Sequence, residues 1–313
     1  MAEQSDSVYN RSVARDPAHG RLTRLAAISS VVVASVLIVA KTGAWLATDS
    51  VALLSTLIDS VLDVAASLVT LFAVHQALVP PDREHRFGHG KAEPLAAMAQ
   101  AAFITGSALF LVFEAAQRLV TPRQVEATGV GIAVMLLAIM LTVALVTFQK
   151  RVIARTGSVA IQADALHYVG DLLVNASVIL ALLLSKHLGW TWVDPLFAIA
   201  IAIYLVKSAV SIARSSLDML MDRELPDAAR QQIVEIVRSH PQVIGMHDLR
   251  TRGAGPTTFI QLHLELDGGM TLWQAHAAAD AVESALRRAF PGAEVLIHED
   301  PYDVAERRSS FVR

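Results

Sequence analysis

Residues 158–184, SVAIQADALHYVGDLLVNASVILALLL, are the stretch from which the fold can be worked out. The segment is apolar and long enough to cross the ~30 Å hydrocarbon layer of a bilayer as a helix. It nevertheless carries His167 and Asp171, and their spacing of four residues places both side chains on one helix face. Ionisable side chains cost at least ~2.5–3.5 kcal/mol each at the centre of a membrane helix. The pair therefore indicates a functional site within the membrane rather than residues that only pack against a neighbouring helix.

A second apolar segment repeats this arrangement. Residues 51–74, VALLSTLIDSVLDVAASLVTLFAV, place Asp59 and Asp63 four residues apart. Two helices that each offer such a pair can supply the four nitrogen and oxygen ligands of a divalent cation. The alternative is that these side chains line a helix–helix contact, which explains a lone intramembrane aspartate better than two pairs. We interpret Asp59, Asp63, His167 and Asp171 as a metal transport site.

The composition supports a membrane protein. Of the 313 residues, 54% are apolar, and Leu, Val, Ile and Ala come in runs rather than in alternation. The chain has no cysteine, so any metal ligand must be His, Asp or Glu. Residues 1–20 are polar and show no secretory signal. Residues 224–306 hold 13 Asp/Glu against 6 Lys/Arg, together with five histidines, which indicates an acidic soluble region at the end.

Six apolar segments predict six transmembrane helices, at about 25–47, 51–78, 95–120, 128–149, 158–184 and 192–220. Lys and Arg collect on the side that holds both termini and the 79–94 and 150–155 linkers. By the positive-inside rule, both termini face the cytoplasm. We expect residues 1–21 to form an N-terminal tail and residues 22–222 to form the membrane domain, in a bacterial inner membrane. Lys41 lies near an outer helix end, where it can snorkel, and Lys207 has no assigned role.

The pattern changes after residue 223. A helix at 225–239, strands at 246–252 and 257–266, a helix at 271–290 and a strand at 293–299 predict an αββαβ domain over residues 223–304, followed by a tail over 305–313. Within it, His247 begins one strand, His263 lies in the next and Asp300 ends the last. Because adjacent strands lie close together, these three side chains can meet. Each histidine taken singly is more typical of a surface position.

The linker PPDREHRFGHGKAEP, residues 80–94, holds a third group of candidate ligands. His85 and His89 are four residues apart, and Asp82 lies three residues before His85. Taken alone, a polar loop that contains histidine is more often simply solvated. Gly88 and Gly90 flank His89, and we expect them to let the backbone bend around an ion.

Together, the DxxxD and HxxxD pairs, the histidine-bearing loop and the C-terminal histidines resemble the cation diffusion facilitator family, specifically its bacterial zinc/iron-type exporters. The resemblance covers about residues 22–303. It implies a mid-membrane transport site and a weaker metal site in the loop. It also implies a binuclear Zn²⁺ site in a metallochaperone-like C-terminal domain, where His298 bridges and His276 adds a ligand. Lys91 and Asp222 match the family's charge interlock in a homodimer.

We therefore predict an exporter of Zn²⁺, with Fe²⁺, Cd²⁺, Co²⁺ and Mn²⁺ as alternative ions, that exchanges metal for protons by alternating access. There is no G-x-x-x-x-G-K-[ST] loop, so ATP is not expected to be the energy source, and no nucleic-acid partner is expected. A membrane-anchored metal sensor is the main alternative. An intramembrane metalloenzyme is less favoured because the HExxH motif is absent. Glu299 stays without a role.

Overall fold

A computed structural model describes residues 17–48, 51–120, 129–188, 192–255 and 257–302. The predicted tail over 305–313 and most of the predicted tail over 1–21 lie outside these residues. Six long helices form an N-terminal helical domain. They are α1 (Pro17–Thr48), α2 (Val51–Ala77), α3 (Ala92–Val120), α4 (Gly129–Thr156), α5 (Val159–Leu188) and α6 (Val193–Leu220).

The helical domain has six long helices, as many as the membrane-crossing segments that the sequence predicts. In the described part of the chain, α1, α2, α3, α4 and α6 are long and apolar enough to cross a bilayer. Helix α5 has 30 residues and is as long as they are, although it carries the polar side chains discussed above. Helix α1 already begins at Pro17, inside the stretch assigned to a tail. Proline is favoured at the first turn of a helix, and polar residues can extend a helix beyond the hydrocarbon layer.

Helix α5 lies at the centre of the bundle, where it contacts all five other helices. Helices α3 and α6 pack closely along their length. Their contact is rich in buried small residues, among them Ala97, Ala101, Ala202 and Ala209. Small side chains let helix backbones approach closely, which is how helices associate where lipid removes the hydrophobic driving force.

The C-terminal domain has the predicted αββαβ order. It contains α7 (Asp227–Arg238), β1 (Gly245–Ala254), β2 (Thr257–Leu266), α8 (Leu272–Ala289) and β3 (Glu294–Pro301). Strand β2 is central, antiparallel to β1 and parallel to β3. The two helices cover one face of the sheet, where Ile233, Val237, Leu264 and Leu286 are buried together. A capping box formed by Thr271 and Gln274 starts α8.

The loop between α2 and α3 lies against the C-terminal domain. The guanidinium of Arg252 lies against two phenyl rings, 5.1 Å from the centre of Phe87 and 4.4 Å from that of Phe259. Beside them, the backbone of Gly90 touches the turn at Ala254 and Gly255. Gly88 has a φ of +79°, as the expected bend requires. Gly90 has a different role, because it allows the loop and the turn to approach.

We predict that Gly90→Ala destabilises the contact between the two domains. A Cβ at this position would lie 2.1 Å from the carbonyl oxygen of Ala254, and backbone cannot move aside cheaply. Overpacking of this kind costs about 1–3 kcal/mol, so the thermal unfolding midpoint in detergent should fall. Gly106→Ala is the matched control, because a Cβ there meets nothing within 4 Å. Equal midpoints for the two variants would contradict the assignment.

Candidate metal sites

Three of the four predicted intramembrane ligands meet between α2 and α5. His167 Nε2 lies 3.0 Å from Asp63 Oδ1 and 3.7 Å from Asp171 Oδ2. One ligand atom from each of these residues lies within 4.8 Å of the others, which is close enough for all three to bind one cation. We call Asp63, His167 and Asp171 the membrane cluster. Its imidazole and carboxylates suit Zn²⁺ and similar divalent ions.

Aromatic side chains orient the imidazole in the membrane cluster. His167 is buried, and its ring makes edge contacts with the rings of Phe103 and Tyr168. Tyr168 is fixed in turn by a 2.8 Å hydrogen bond between its hydroxyl and Ser67 of α2. Ser67 follows Asp63 by one helical turn, so the same contact also fixes the face of α2 that carries the carboxylate.

Asp59, the fourth predicted ligand, does not join this group. Its side chain is exposed, and it is not among the residues of the membrane cluster. Lys41 of α1 binds the same turn of α2: its ammonium group donates to the carbonyl oxygen of Thr56 at 3.1 Å and to Ser60 Oγ at 2.6 Å. The expectation of a snorkelling Lys41 is therefore replaced by a defined contact beside Asp59.

The loop residues form the second cluster. Asp82, His85 and His89 bring their ligand atoms within 4.8 Å of one another, and the two imidazole rings are 4.6 Å apart. His89 Nε2 lies 3.3 Å from Asp82 Oδ2, whereas its Nδ1 is buried without a hydrogen-bond partner among the described residues. A buried ring nitrogen without a partner is available to bind a metal ion.

Backbone amides keep Asp82 ionised. The N–H groups of His85 and Glu84 donate to Asp82 Oδ1 at 2.6 and 2.9 Å. The hydrogen bond from the His85 amide in particular holds the pKa of Asp82 below its ordinary value. The carboxylate could thus bind a metal ion near neutral pH without a deprotonation step.

Sheet register builds the third cluster, in the C-terminal domain. His247 of β1 is opposite His263 of β2, which is opposite His298 of β3. Asp300 is buried beneath these rings. Its Oδ2 lies 2.7 Å from His263 Nδ1 and 3.5 Å from His247 Nε2, and its Oδ1 lies 3.1 Å from His298 Nε2. The predicted meeting of His247, His263 and Asp300 is confirmed.

The other two predicted C-terminal ligands, His298 and His276, lie outside the group formed by His247, His263 and Asp300. His298 is largely exposed but adjoins the cluster, since its ring is 4.7 Å from that of His263. His276 lies on α8 beside Asp280, 3.5 Å away, and is not in the cluster within this chain. Sequence reasoning missed Glu265, whose carboxylate lies 2.8 Å from His247 Nδ1. Its position two residues after His263, on the same strand face, was the available signal.

Lys91 and Asp222, the residues of the predicted dimer interlock, form an ion pair within this chain, at the junction of the two domains. Lys91 Nζ lies 2.9 Å from Asp222 Oδ1, and Arg252 contacts the same oxygen at 3.2 Å. Partial burial acts to raise the pKa of Asp222, but the hydrogen bonds from Lys91 and Arg252 outweigh it and hold the pKa below its ordinary value. Asp222 therefore joins α6, the loop and β1 through two cations.

Asp222→Asn should remove these ionic contacts while preserving the backbone. Asp222 has a φ of +56°, which asparagine also tolerates. Because the carboxylate is exposed, the expected loss at neutral pH is small, about 0–1 kcal/mol. A lowered pKa gives stability that is present above ~3.9, the pKa of unfolded Asp, and is lost as pH falls through the lower folded value. Thermal midpoints of wild type and variant should therefore converge in acid. A difference that stays constant with pH would contradict the assignment.

Comparisons with known proteins identify the family of this chain. Residues 27–221 match the family model of the cation efflux transmembrane domain, and residues 225–302 match the cation efflux protein cytoplasmic domain. Proteins named cation-efflux pump FieF from Citrobacter koseri and Yersinia enterocolitica are each 50% identical, over 289 and 292 residues. The alignments cover 92% and 93% of this chain and 96% and 97% of those relatives. A solved Zn form of CzrB, described as a candidate zinc transporter, is 34% identical over 28% of this chain and 99% of its own, with a TM-score of 0.26. The chain belongs to the cation diffusion facilitator family of cation-efflux transporters.

Proposed function

We propose that this transporter exports Zn²⁺ from the cytoplasm in exchange for protons, by alternating access. The observation that carries the proposal is the membrane cluster, which sets two carboxylates and an imidazole within 4.8 Å inside a helical bundle. Fe²⁺, Cd²⁺, Co²⁺ and Mn²⁺ are alternative ions with the same ligand chemistry. The imidazole favours borderline ions such as Zn²⁺ over the harder Mn²⁺.

Competition for the same lone pairs supports proton exchange. A metal ion needs a neutral imidazole and ionised carboxylates, so its binding displaces protons from these groups. When the ion leaves toward the outside, protons can take its place, and the protonated site can turn inward. His167 is the natural proton carrier in this scheme, because its ring contacts both carboxylates of the cluster.

Asp59 can complete the ion's coordination by a small movement of α2. It lies one helical turn from Asp63 on the same face. Four protein ligands are what a tetrahedral Zn²⁺ site requires, and the membrane cluster supplies three. Inclusion of Asp59 in one state and its exclusion in another would fit a site that alternates between binding and release.

The protein works as a homodimer in a bacterial inner membrane, with both termini in the cytoplasm. The C-terminal cluster suits resident Zn²⁺, because histidine and carboxylate ligands on rigid strands match its preferred donors. We assign it a structural or regulatory role, in which His276 reaches a metal site only in the dimer. The loop cluster serves as a weaker metal site at the cytoplasmic surface, and Lys91 with Asp222 stabilises the working arrangement of the protomers.

A membrane-anchored sensor is the competing function, and the position of the membrane cluster argues against it. A sensor could rely on the two clusters outside the bundle. It would gain nothing from ionisable side chains placed between transmembrane helices, where each is costly.

His167→Ala and Asp171→Ala should each abolish Zn²⁺ flux in sealed proteoliposomes, and the accompanying proton flux with it, because the ion loses ligands that replace its hydration shell. Flux is measured with fluorescent Zn²⁺ and pH indicators inside the vesicles, over a panel of divalent ions. Asn175→Ala, one turn beyond Asp171 on α5, is the matched control and should keep most of the flux. Normal flux by either ligand variant would refute the transport site. Zn²⁺ flux without counter-flow of protons would refute exchange.

Replacing His247 and His263 together with Ala should lower the stabilisation that Zn²⁺ gives to the folded protein. Ligand binding stabilises the native state by mass action, about 2.7 kcal/mol when the ligand is at 100 times its Kd. The rise of the unfolding midpoint with added Zn²⁺ should therefore shrink, and half-maximal flux should need more Zn²⁺. His240→Ala, a histidine of the same domain outside the cluster, is the control. An unchanged response of stability and flux in the double variant would show that these histidines are ordinary surface residues.

A further inference from the structure

Asp164 is a buried carboxyl group that belongs to none of the three metal clusters. It lies on α5, one helical turn before His167, and its exposed fraction is 0%. Ser30 of α1 and Gln149 of α4 contact it, and both of these side chains are equally buried. We call Ser30, Gln149 and Asp164 the polar triad. It joins three helices inside the bundle.

The two oxygens of Asp164 have very different surroundings. Oδ2 lies 2.5 Å from Ser30 Oγ and accepts a hydrogen bond from Gln149 Nε2 at 2.7 Å. Oδ1 is buried and has no hydrogen-bond partner among the described residues. An ionised carboxylate needs donors at both oxygens or a nearby cation, and a buried oxygen without either is costly. The polar triad on its own therefore favours the neutral carboxyl group.

The polar triad can nevertheless hold both protonation states without moving a helix. Ser30 Oγ lies 3.1 Å from the carbonyl oxygen of Ala26 as well as close to Asp164. A neutral Asp164 with its proton on Oδ2 donates to Ser30 Oγ, while the Ser30 hydroxyl donates to Ala26. An ionised Asp164 instead accepts from the Ser30 hydroxyl, which has only to rotate.

The charges around Asp164 come mainly from the membrane cluster. His167 and then Asp171 follow on α5, and Asp63 faces them from α2. The remaining titratable or charged groups on helices packed against α5 have contacts of their own or are exposed. They include Tyr168, which bonds Ser67; Glu93 of α3, which accepts from Ser158 Oγ at 2.9 Å; and Lys41 of α1, which bonds Ser60. Exposed examples are Arg21, Arg24, Asp59, His75, Lys150, Arg151, Arg155 and Lys207. A dication in the membrane cluster would thus be the strongest positive charge near Asp164.

We propose that Asp164 is a further proton-carrying group of the transport cycle, which keeps its proton while the membrane cluster is empty and releases it when a divalent cation binds there. The inference rests on the proposed exchange of metal for protons. The O–H bond of the carboxyl group breaks, its electron pair stays on the carboxylate, and the proton passes to solution. Asp164 lies toward the Val159 end of α5, which is the cytoplasmic end in the proposed orientation. Metal entering from the cytoplasm and the leaving proton thus use the same side.

A purely structural Asp164 would behave differently. It would stay neutral in every state and serve only to join α1, α4 and α5. Asp164→Asn separates the two roles, because the amide has the shape of the neutral acid but carries no proton that it can release. A structural role predicts that this variant exchanges as many protons as the wild type.

The test counts the protons that each protomer of the full-length protein releases when it is saturated with Zn²⁺ at pH 7.5, from calorimetry in buffers of different ionisation heat. The loop and C-terminal clusters contribute equally to wild type and variant, so the difference isolates Asp164. Asp164→Asn should release one proton fewer per protomer. Glu93→Gln, which removes another buried carboxyl group near the start of α5, should match the wild type.

The outcomes distinguish the inference from the proposed function. If the wild type releases no proton on binding Zn²⁺, the exchange itself is wrong. If the wild type releases protons and Asp164→Asn releases the same number, the role of Asp164 is overturned while the exchange stands.

Infrared difference spectroscopy provides an independent readout should Asp164→Asn fail to fold. The wild type should lose a carboxylic-acid C=O band when Zn²⁺ binds, and Ser30→Ala should shift the frequency of that band. A band that persists with Zn²⁺, or that Ser30→Ala leaves unshifted, would also overturn the inference.

Discussion

The contact between His167 and Asp63, 3.0 Å long, is the interaction on which the helical domain depends. Charged or strongly polar side chains are tolerated between membrane helices only when they face one another. The ligand faces of α2 and α5 must therefore meet, and α5 must be enclosed by its neighbours. The small residues that let α3 and α6 approach closely make this enclosure possible, because they bring two helices together on one side of α5.

Charge balance then determines what the site can do. The membrane cluster holds two carboxylates and one imidazole, so it is negative unless protons or a cation are present. Lys41 lies beside it but bonds Ser60 and the Thr56 carbonyl rather than a ligand of the cluster. The ammonium group orders the turn that carries Asp59 and leaves the cluster's own lone pairs open. A site of this kind attracts a dication and can also be emptied by protons, which is what a transporter requires and a permanent structural site does not.

Periodicity explains why much of the architecture could be predicted from sequence. The spacing of four residues fixes a helix face, and the alternation of strands fixes a sheet face, so Asp63, His167, His247 and His263 were placed correctly. Features that depend on contacts between residues far apart in the chain could not be predicted from the sequence. Gly90 is needed because a turn more than 160 residues later touches its backbone, and nothing local marks that contact. Glu265 and Asp164 looked like ordinary polar residues, since their roles depend on which neighbouring element faces them.

The loop between α2 and α3 connects the loop cluster physically to the C-terminal domain. Within ten residues it carries the ligands of the loop cluster, the ring of Phe87 that covers Arg252, and Lys91, which bonds Asp222. A loop this short cannot change shape around an ion while its contacts with the C-terminal domain stay unchanged. Thermodynamic linkage is reciprocal, so any effect of metal on docking equals the effect of docking on metal affinity. If the loop cluster binds metal as proposed, the position of the C-terminal domain would therefore set how strongly the loop holds it, just before α3 enters the bundle that surrounds His167.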